Sequence, residues 1–388
     1  MVFLSIGILY PFYAYLLDPM NLIKTQILLW IWLIPFCIIS LATIGVCVFC
    51  AVTSVAALFI FRGMFMANIL ADEQQKLFES GISDEERIRR EQEFYALYYK
   101  TRAKDENSFL GKLSLGTRRK LHSLVLLIFA IKNRLSGFSC QLVHDKRSET
   151  NRPIIFALTH VGKFDIEVSA VSIKDHFYLL SGDYEHLQGL IDGAFLLVNG
   201  VLYFNEKVKQ DRHDVVKRMI DHLMQGGNLM YFPEGTWNLK PELPMLPCYW
   251  GIVDIAQKSN AIVLPVAVEQ YGKRFKINIG SNFDMQNYGT DSADKSKAIS
   301  DLRDVMATLK YDIWESEPQL KRSELVGDEW DNYIKDRLAE WPYFSLEYID
   351  GMIYKPKNIT TSEEAFEHLN TIRPTMQNAF LYNKRLRG

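Results

Sequence analysis

The sequence predicts an α/β domain behind an N-terminal membrane anchor. Two observations carry that prediction. Beyond Asn151, short apolar runs alternate with amphipathic stretches, the pattern of strands and helices in turn. Before it, residues 1–61 contain only two charges, Asp18 and Lys24, although the chain has 44 Lys/Arg and 46 Asp/Glu. The averages over all 388 residues, net charge −2 with 48% hydrophobic and 23% charged, conceal this division. They do exclude a disordered chain, a collagen-like repeat and a small disulfide scaffold. A near-neutral balance also argues against a nucleic-acid partner, because phosphate neutralisation needs a basic excess.

The anchor is read from charge and length. From Ile27 to Phe61 there is no Asp, Glu, Lys, Arg or His. A membrane-spanning helix needs roughly 20 apolar residues, so this stretch crosses once or folds into a tight two-pass hairpin. Val2–Leu17 is a shorter apolar stretch broken by Pro11, and Asp18, Pro19 and Asn21 form a turn signal between the two. A cleavable signal peptide fits poorly, since no basic region follows Met1 and the apolar run is too long. Arg62, Arg87, Arg89, Arg90, Arg102 and Lys104 follow. The positive-inside rule then puts the body on the cytoplasmic face of the cell membrane. The five cysteines, Cys37, Cys47, Cys50, Cys140 and Cys248, read as reduced structural thiols, with no metal site among them.

Residues 62–150 are expected to be a helical, partly interfacial linker. Ser83 and Glu86 have capping-box spacing and open a helix reaching about Lys104. Next, Lys112, Arg118, Arg119, Lys120, Lys132 and Arg134 bracket the apolar run Leu121–Ile131 without any acid. Such a helix either lies in an anionic bilayer surface or is buried with solvated ends. Residues 151–285 are the expected catalytic domain. Its candidate strands are Ile154–Leu158, Phe177–Leu180, Leu196–Val198, Asn228–Phe232, Ile262–Val268 and Phe275–Ile279. Its candidate helices are Ile166–Ile173, Arg212–Met224 and Gly251–Lys258. Residues 286–388 form a helical C-terminal extension, including Asp294–Trp314 and a tail rich in Pro, Tyr and Trp.

Three places have chemical potential. His160 follows the first strand at once, and Asp165 stands five residues on, past Gly162 and Lys163. A histidine at a strand end of an α/β sheet stands where such folds build sites. An imidazole acting as a base needs a partner to hold its tautomer, and Asp165 supplies one if the intervening segment turns back. Of the eight histidines only His160 has an aspartate at this spacing. The second place is Phe232-Pro233-Glu234-Gly235-Thr236, which brings a carboxylate and a hydroxyl to the end of another apolar strand. Third, Ile262–Val268 contains Pro265, which predicts an edge strand or a bulge beside the site.

These blocks, in this order, resemble the glycerolipid acyltransferases typified by lysophosphatidic acid acyltransferase. That family carries a His-x4-Asp block, a Gly-x-x-Phe-type block, a Phe-Pro-Glu-Gly-Thr block and a later Val-Pro-like strand. Gly200-Val201-Leu202-Tyr203-Phe204 is similar to the second of these, and the likeness covers about residues 154–268. It implies a central mixed sheet flanked by helices. It also implies transfer of a fatty acyl group from an acyl thioester, on coenzyme A or acyl carrier protein, to a hydroxyl of a lipid. His160 and Asp165 would be catalytic, and Glu234, Gly235 and Thr236 would bind the acceptor, with no cofactor or metal. Partners would be the bilayer, the thioester donor and a lipid acceptor of the lysophospholipid type, such as 1-acyl-glycerol-3-phosphate.

Two positions depart from the pattern. Glu206 and Trp237 stand where the family usually has arginines associated with the acceptor's phosphate. Lys163 and Lys207 could substitute only as point charges, without a guanidinium's bidentate grip. A non-phosphorylated acceptor, a glycolipid or a membrane-linked saccharide, is therefore the alternative. The rival outside enzymology is an inactive membrane lipid-binding protein, against which the intact His160, Asp165 and Glu234 argue. A hydrolase lacks a Ser or Cys beside His160.

Overall fold

In the computed structural model the described residues are 83–356, except 183, 188–190, 241–242, 319–327 and 342, together with positions 43, 47 and 73. The chain divides into two units, Met1–Met66 and Ala67–Gly388. The expected anchor, 1–61, lies outside the described residues apart from Thr43 and Cys47. Among the described residues no helix is long and apolar enough to cross a membrane.

The second unit is built on a seven-stranded sheet. Its strands are β1 (Ser139–Asp145), β2 (Ile154–Leu158), β3 (Tyr178–Ser181), β4 (Val201–Tyr203), β5 (Leu229–Tyr231), β6 (Ile262–Tyr271) and β7 (Arg274–Ile279). They lie in the order β1-β7-β6-β2-β5-β3-β4. Every neighbouring pair is parallel except the β6–β7 hairpin, so the sheet is mixed, as the family likeness implies. Strand β2 shows why these residues form a central strand. Ile155 and Ala157 pack into one core, while Phe156 and Leu158 pack into another on the opposite face. Strands covered on both faces need unbroken apolar runs, and this one has it.

Helices cover the two faces. On one side lie α6 (Lys209–Met224), α7 (Gly251–Ser259) and α8 (Ser292–Glu315), contributing Met219, Leu223, Ile252, Ala256, Leu302 and Met306. On the other lie α2 (Leu115–Leu135), α3 (Asp165–Ile173) and α5 (Ile191–Asn199), with Val125, Phe129, Val168, Ile173 and Leu196. Ahead of them, α1 (Asp84–Glu106) is capped by Ser83 as its sequence predicts. It is fastened to the body by the Arg102–Asp211 pair at 2.6 Å. The short α4 (Tyr184–Leu187) packs Tyr184 against Tyr98 of α1. Two further helices, α9 (Glu329–Ala339) and α10 (Leu346–Met352), close the described chain.

Some expectations are corrected. Leu196–Val198 is the end of helix α5, not a strand; a short apolar run does not distinguish a buried helix from a strand by period alone. Strand β1 falls in the region expected to be helical, because its polar residues, SCQLVHD, suit an exposed edge position. Pro265 is not at an edge. It sits in β6 between β2 and β7, where the β7 ladder has ended and Gly280 N donates to its carbonyl. The missing N–H thus faces an irregular segment. Helix α2 is buried along one face only. Val125 and Phe129 are buried, whereas Leu124, Leu127, Ile131 and Leu135 are more than half exposed. Two of its bracketing cations turn to the body, Arg118 fully buried and Lys132 in part. Arg118 donates to the carbonyls of Val198, Leu110 and Gly111, and Lys132 pairs with Glu167 at 2.6 Å.

At the opposite end of the parallel strands from the site, His176 Nε2 donates to Asn199 O and His222 Nε2 donates to Asn228 O. His222 also stacks on Tyr178 at 3.9 Å. Burial lowers both imidazoles from 6.5 to about 4, with Arg119 pushing in the same direction. Both are therefore neutral when folded but take up protons below about pH 6.5 when unfolded. The unfolded chain then binds more protons, and stability falls as pH drops from 6.5 towards 4. Thermal midpoints are expected to be steady above pH 7 and to fall below 6.5, with a shallower fall in a His176→Gln/His222→Gln variant. A fall of equal steepness in that variant would assign it to other groups.

Candidate active site

Strands β2, β5, β3 and β4 are mutually parallel, so their C-terminal ends share one edge of the sheet. That edge is where open α/β sheets place their ligands. His160 follows β2, Phe232–Thr236 follow β5, Gly182 follows β3, and Phe204 and Glu206 follow β4. Residues distant in sequence are brought together by this strand order alone.

The five-residue spacing between His160 and Asp165 is bridged by the turn the sequence requires. Asp165 is the first residue of α3, and the chain between curls back over its carboxylate. Asp165 Oδ2 accepts from His160 Nδ1 at 2.7 Å, from Val161 N at 2.8 Å and from Gly162 N at 3.2 Å. The carboxylate is fully buried at the N-terminus of the helix. Its acceptance from Nδ1 places the ring proton there and leaves His160 Nε2 as the acceptor nitrogen. The ring stacks on Phe232 at 4.1 Å and meets Trp237 edge-on at 6.1 Å. Among the described residues neither ring nitrogen is bonded to a serine or cysteine.

The second motif clamps the backbone of the first. Glu234 is completely buried; Oε1 accepts from His160 N at 3.0 Å and Oε2 from Leu246 N at 2.8 Å. On the other side, Asn238 N donates to His160 O at 2.8 Å. Burial raises the Glu234 carboxyl above the usual carboxylate range, opposed by the Leu246 and His160 N–H groups. Glu234 therefore does not stand as a direct ligand of an acceptor, as the family likeness had implied. Both its oxygens are turned inward and serve the loops. Gly235 and Thr236 do line the cavity, with Lys163 and His160. Gly235 is in the left-handed region at φ +71°, and a Cβ there would lie 2.6 Å from the Tyr249 ring.

The cavity has a volume of about 210 Å³. Much of its lining is apolar, including Phe129, Leu179, Leu187, Leu196 and Phe204. Lys163 is the only Lys or Arg among the described lining residues, and its ammonium lies over the Trp341 ring at 5.0 Å. Lys207 stands outside the lining, exposed to solvent. The carboxylates at the cavity are Glu167, paired with Lys132, and Glu206, whose Oε1 accepts from Tyr348 OH at 2.6 Å. Trp341, Phe344, Tyr348 and Met352 complete the wall from the C-terminal helices. Sequence reasoning noted that tail's aromatic content but did not bring it to the site, since no spacing links it to His160.

A family profile described as Acyltransferase matches residues 141–269. The chain carries an acyltransferase domain. The match encloses every block of the glycerolipid acyltransferase likeness, from His160 through Glu234 to Pro265. The fold also aligns with the crystal structure of the 1-acyl-sn-glycerophosphate (LPA) acyltransferase PlsC from Thermotoga maritima. There the identity is 13% and the TM-score 0.42, over 67% of this chain and 99% of that one. No curated protein matches the sequence. The acyltransferase domain ends before α8, so the aromatic wall from 341 to 352 is supplied from beyond it.

Gly235→Ala in this acyltransferase is expected to lower the unfolding free energy by about 2 kcal/mol or more, combining left-handed strain with the Tyr249 clash. A urea titration measures it; an unchanged midpoint would mean that the loop relaxes freely.

Proposed function

We propose that the acyltransferase domain moves a fatty acyl group from an acyl thioester, carried by coenzyme A or acyl carrier protein, to a hydroxyl of a membrane lipid. The observation that carries this is the His160–Asp165 pair at the cavity mouth, oriented by 2.7 Å hydrogen bonding and lacking a bonded protein nucleophile. The acceptor's own hydroxyl takes the nucleophile's place. His160 Nε2 removes its proton as the oxygen attacks the thioester carbonyl. Asp165 holds the tautomer and steadies the imidazolium that forms. Collapse of the tetrahedral adduct breaks the C–S bond, and the departing thiolate takes the proton from His160. An ester and a free thiol result, with atoms and charge balanced. The apolar lining of the cavity suits an acyl chain.

The acceptor is a lipid without a phosphomonoester. A lysophosphatidate would bring two negative charges beside Glu206, with Lys163 as the only lysine or arginine of the described lining. Repulsion at such range is costly in a partly desolvated site. Membrane residence is supported by the charge-free stretch from Ile27 to Phe61 and by the exposed apolar stripe of α2. With basic residues following the stretch, the domain faces the cytoplasm at the cell membrane.

His160→Ala is expected to lower kcat by about 10²–10⁴-fold while the thermal midpoint stays near that of the parent protein. Labelled acyl-CoA and a total lipid extract, read by product mass, provide the assay. Turnover at parental level in purified His160→Ala would remove His160 from the chemistry. Asp165→Asn is expected to fall similarly, through the wrong tautomer.

A further inference from the structure

Gln270, the first residue past the acyltransferase match, belongs to a polar cluster that packs behind the His160–Asp165 pair. It lies near the end of β6, and its Nε2 donates to Gly272 O and to Glu340 Oε1, each at 3.0 Å. Arg337, in the last turn of α9, pairs with the same Glu340 oxygen at 2.9 Å. Gln270 and Arg337 are buried, and Glu340 is nearly so. None of the three lines the cavity. Any influence they have on the reaction therefore passes through the pair and not through contact with a substrate.

Gly162 is the point of contact. Its N–H, like that of Val161, donates to Asp165 Oδ2. A Cβ on Gly162 would lie 3.2 Å from Glu340 Oε2 and 3.3 Å from Gln270 Oε1. The backbone at Gly162 is outside the left-handed region, so what glycine provides there is close approach, not conformation. Two carboxylates, Asp165 and Glu340, thus pack on one glycine. Burial raises the Glu340 carboxyl, Arg337 and the Gln270 N–H lower it, Asp165 raises it again and Lys163 lowers it. Charge on Glu340 and charge on Asp165 are therefore felt by each other. A negative neighbour favours the protonated form of an imidazole, so the same charge bears on His160.

We infer that Glu340, supplied from beyond the acyltransferase domain, is a positioning residue of the site: held by Arg337 and Gln270, it supports the Gly162 turn under Asp165 and adds negative charge that strengthens His160 as a base. This rests on the acyl-transfer reading given above, in which His160 takes the acceptor's proton. The other charged groups around the pair are Lys163 in the same turn, Glu234 with Lys310 of α8 in electrostatic reach, Glu167 with Lys132, and Glu206. A substitution at 340 leaves all of these in place. His160 must be neutral to accept a proton, so kcat/KM climbs with pH as the free enzyme's imidazole deprotonates. Removing a nearby negative charge moves that climb to lower pH.

The test uses the full chain in detergent micelles, with labelled palmitoyl-CoA and a total lipid extract. Glu340→Gln keeps the shape and an acceptor for Gln270. It is expected to move the acid limb of kcat/KM down by about half a pH unit, with the KM for palmitoyl-CoA unchanged. Glu340→Asp keeps the charge and is expected to leave the limb in place. Gly162→Ala, which presses on the Glu340 carboxylate, is expected to lower kcat about tenfold at unchanged KM. Adding Glu340→Asp, whose shorter side chain withdraws the carboxylate, is expected to restore kcat about threefold or more. An unmoved limb in Glu340→Gln would overturn the inference, as would an equal shift in Glu340→Asp. Should Glu340→Gln not fold, the Gly162→Ala pair decides, and no recovery in the double variant would overturn the inference. His160→Ala as active as the parent would instead overturn the acyl-transfer reading, and the inference with it.

Discussion

The carboxylate of Glu234 is the constraint on which the site depends. It is wholly removed from water, and a buried polar group persists only where hydrogen-bond partners surround it. Its donors are two backbone N–H groups, from His160 and Leu246, in segments far apart in sequence. Those segments meet only because β2 and β5 are parallel neighbours. Glu234 fixes the main chain of His160, Asn238 holds it from the other side, and Asp165 then fixes the ring. Backbone and side chain of His160 are held separately, the kind of preorganisation that a reacting group requires. Loss of the Glu234 carboxylate would leave two buried donors unsatisfied as well as freeing the loop.

Charge is used sparingly around this centre. Lys132 answers Glu167, Tyr348 answers Glu206, and Lys163 is laid over an aromatic face. The cavity therefore has no strong field of one sign, unlike a site meant to collect a multiply charged ligand. Its remaining surface is apolar, consistent with substrates that partition into lipid.

The cluster of His160, Asp165 and the Phe232–Thr236 loop was legible in the sequence because its pieces are contiguous. His160 and Asp165 lie within six residues, and Phe232–Thr236 within five, each directly after an apolar strand. The run of parallel strands brings such loops to one edge without further information. What depended on three-dimensional contact was not legible. Glu234 turns inward because Leu246 N is within its reach, a contact twelve residues away that no pattern encodes. Leu196–Val198 is helical because α5 packs on α2, whereas its apolar content fits either state. Pro265 occupies an interior strand because β7 stops short of it. Trp341 reaches the cavity within one buried cluster with Trp237, and Tyr348 by packing on Phe344, far along the chain from the motifs.

The two sides of the cavity thus belong to stretches that can diverge independently. The loops at the strand ends are interlocked through the sheet, so substitutions there disturb the base, the clamp and the fold together. Helix α10 meets those loops through Tyr348, Ile349, Asp350 and Met352. A handful of exchanges along it would reshape that wall while leaving the hydrogen bonds between His160 and Asp165 untouched. Descendants of such a chain would keep those bonds and differ in what the wall admits.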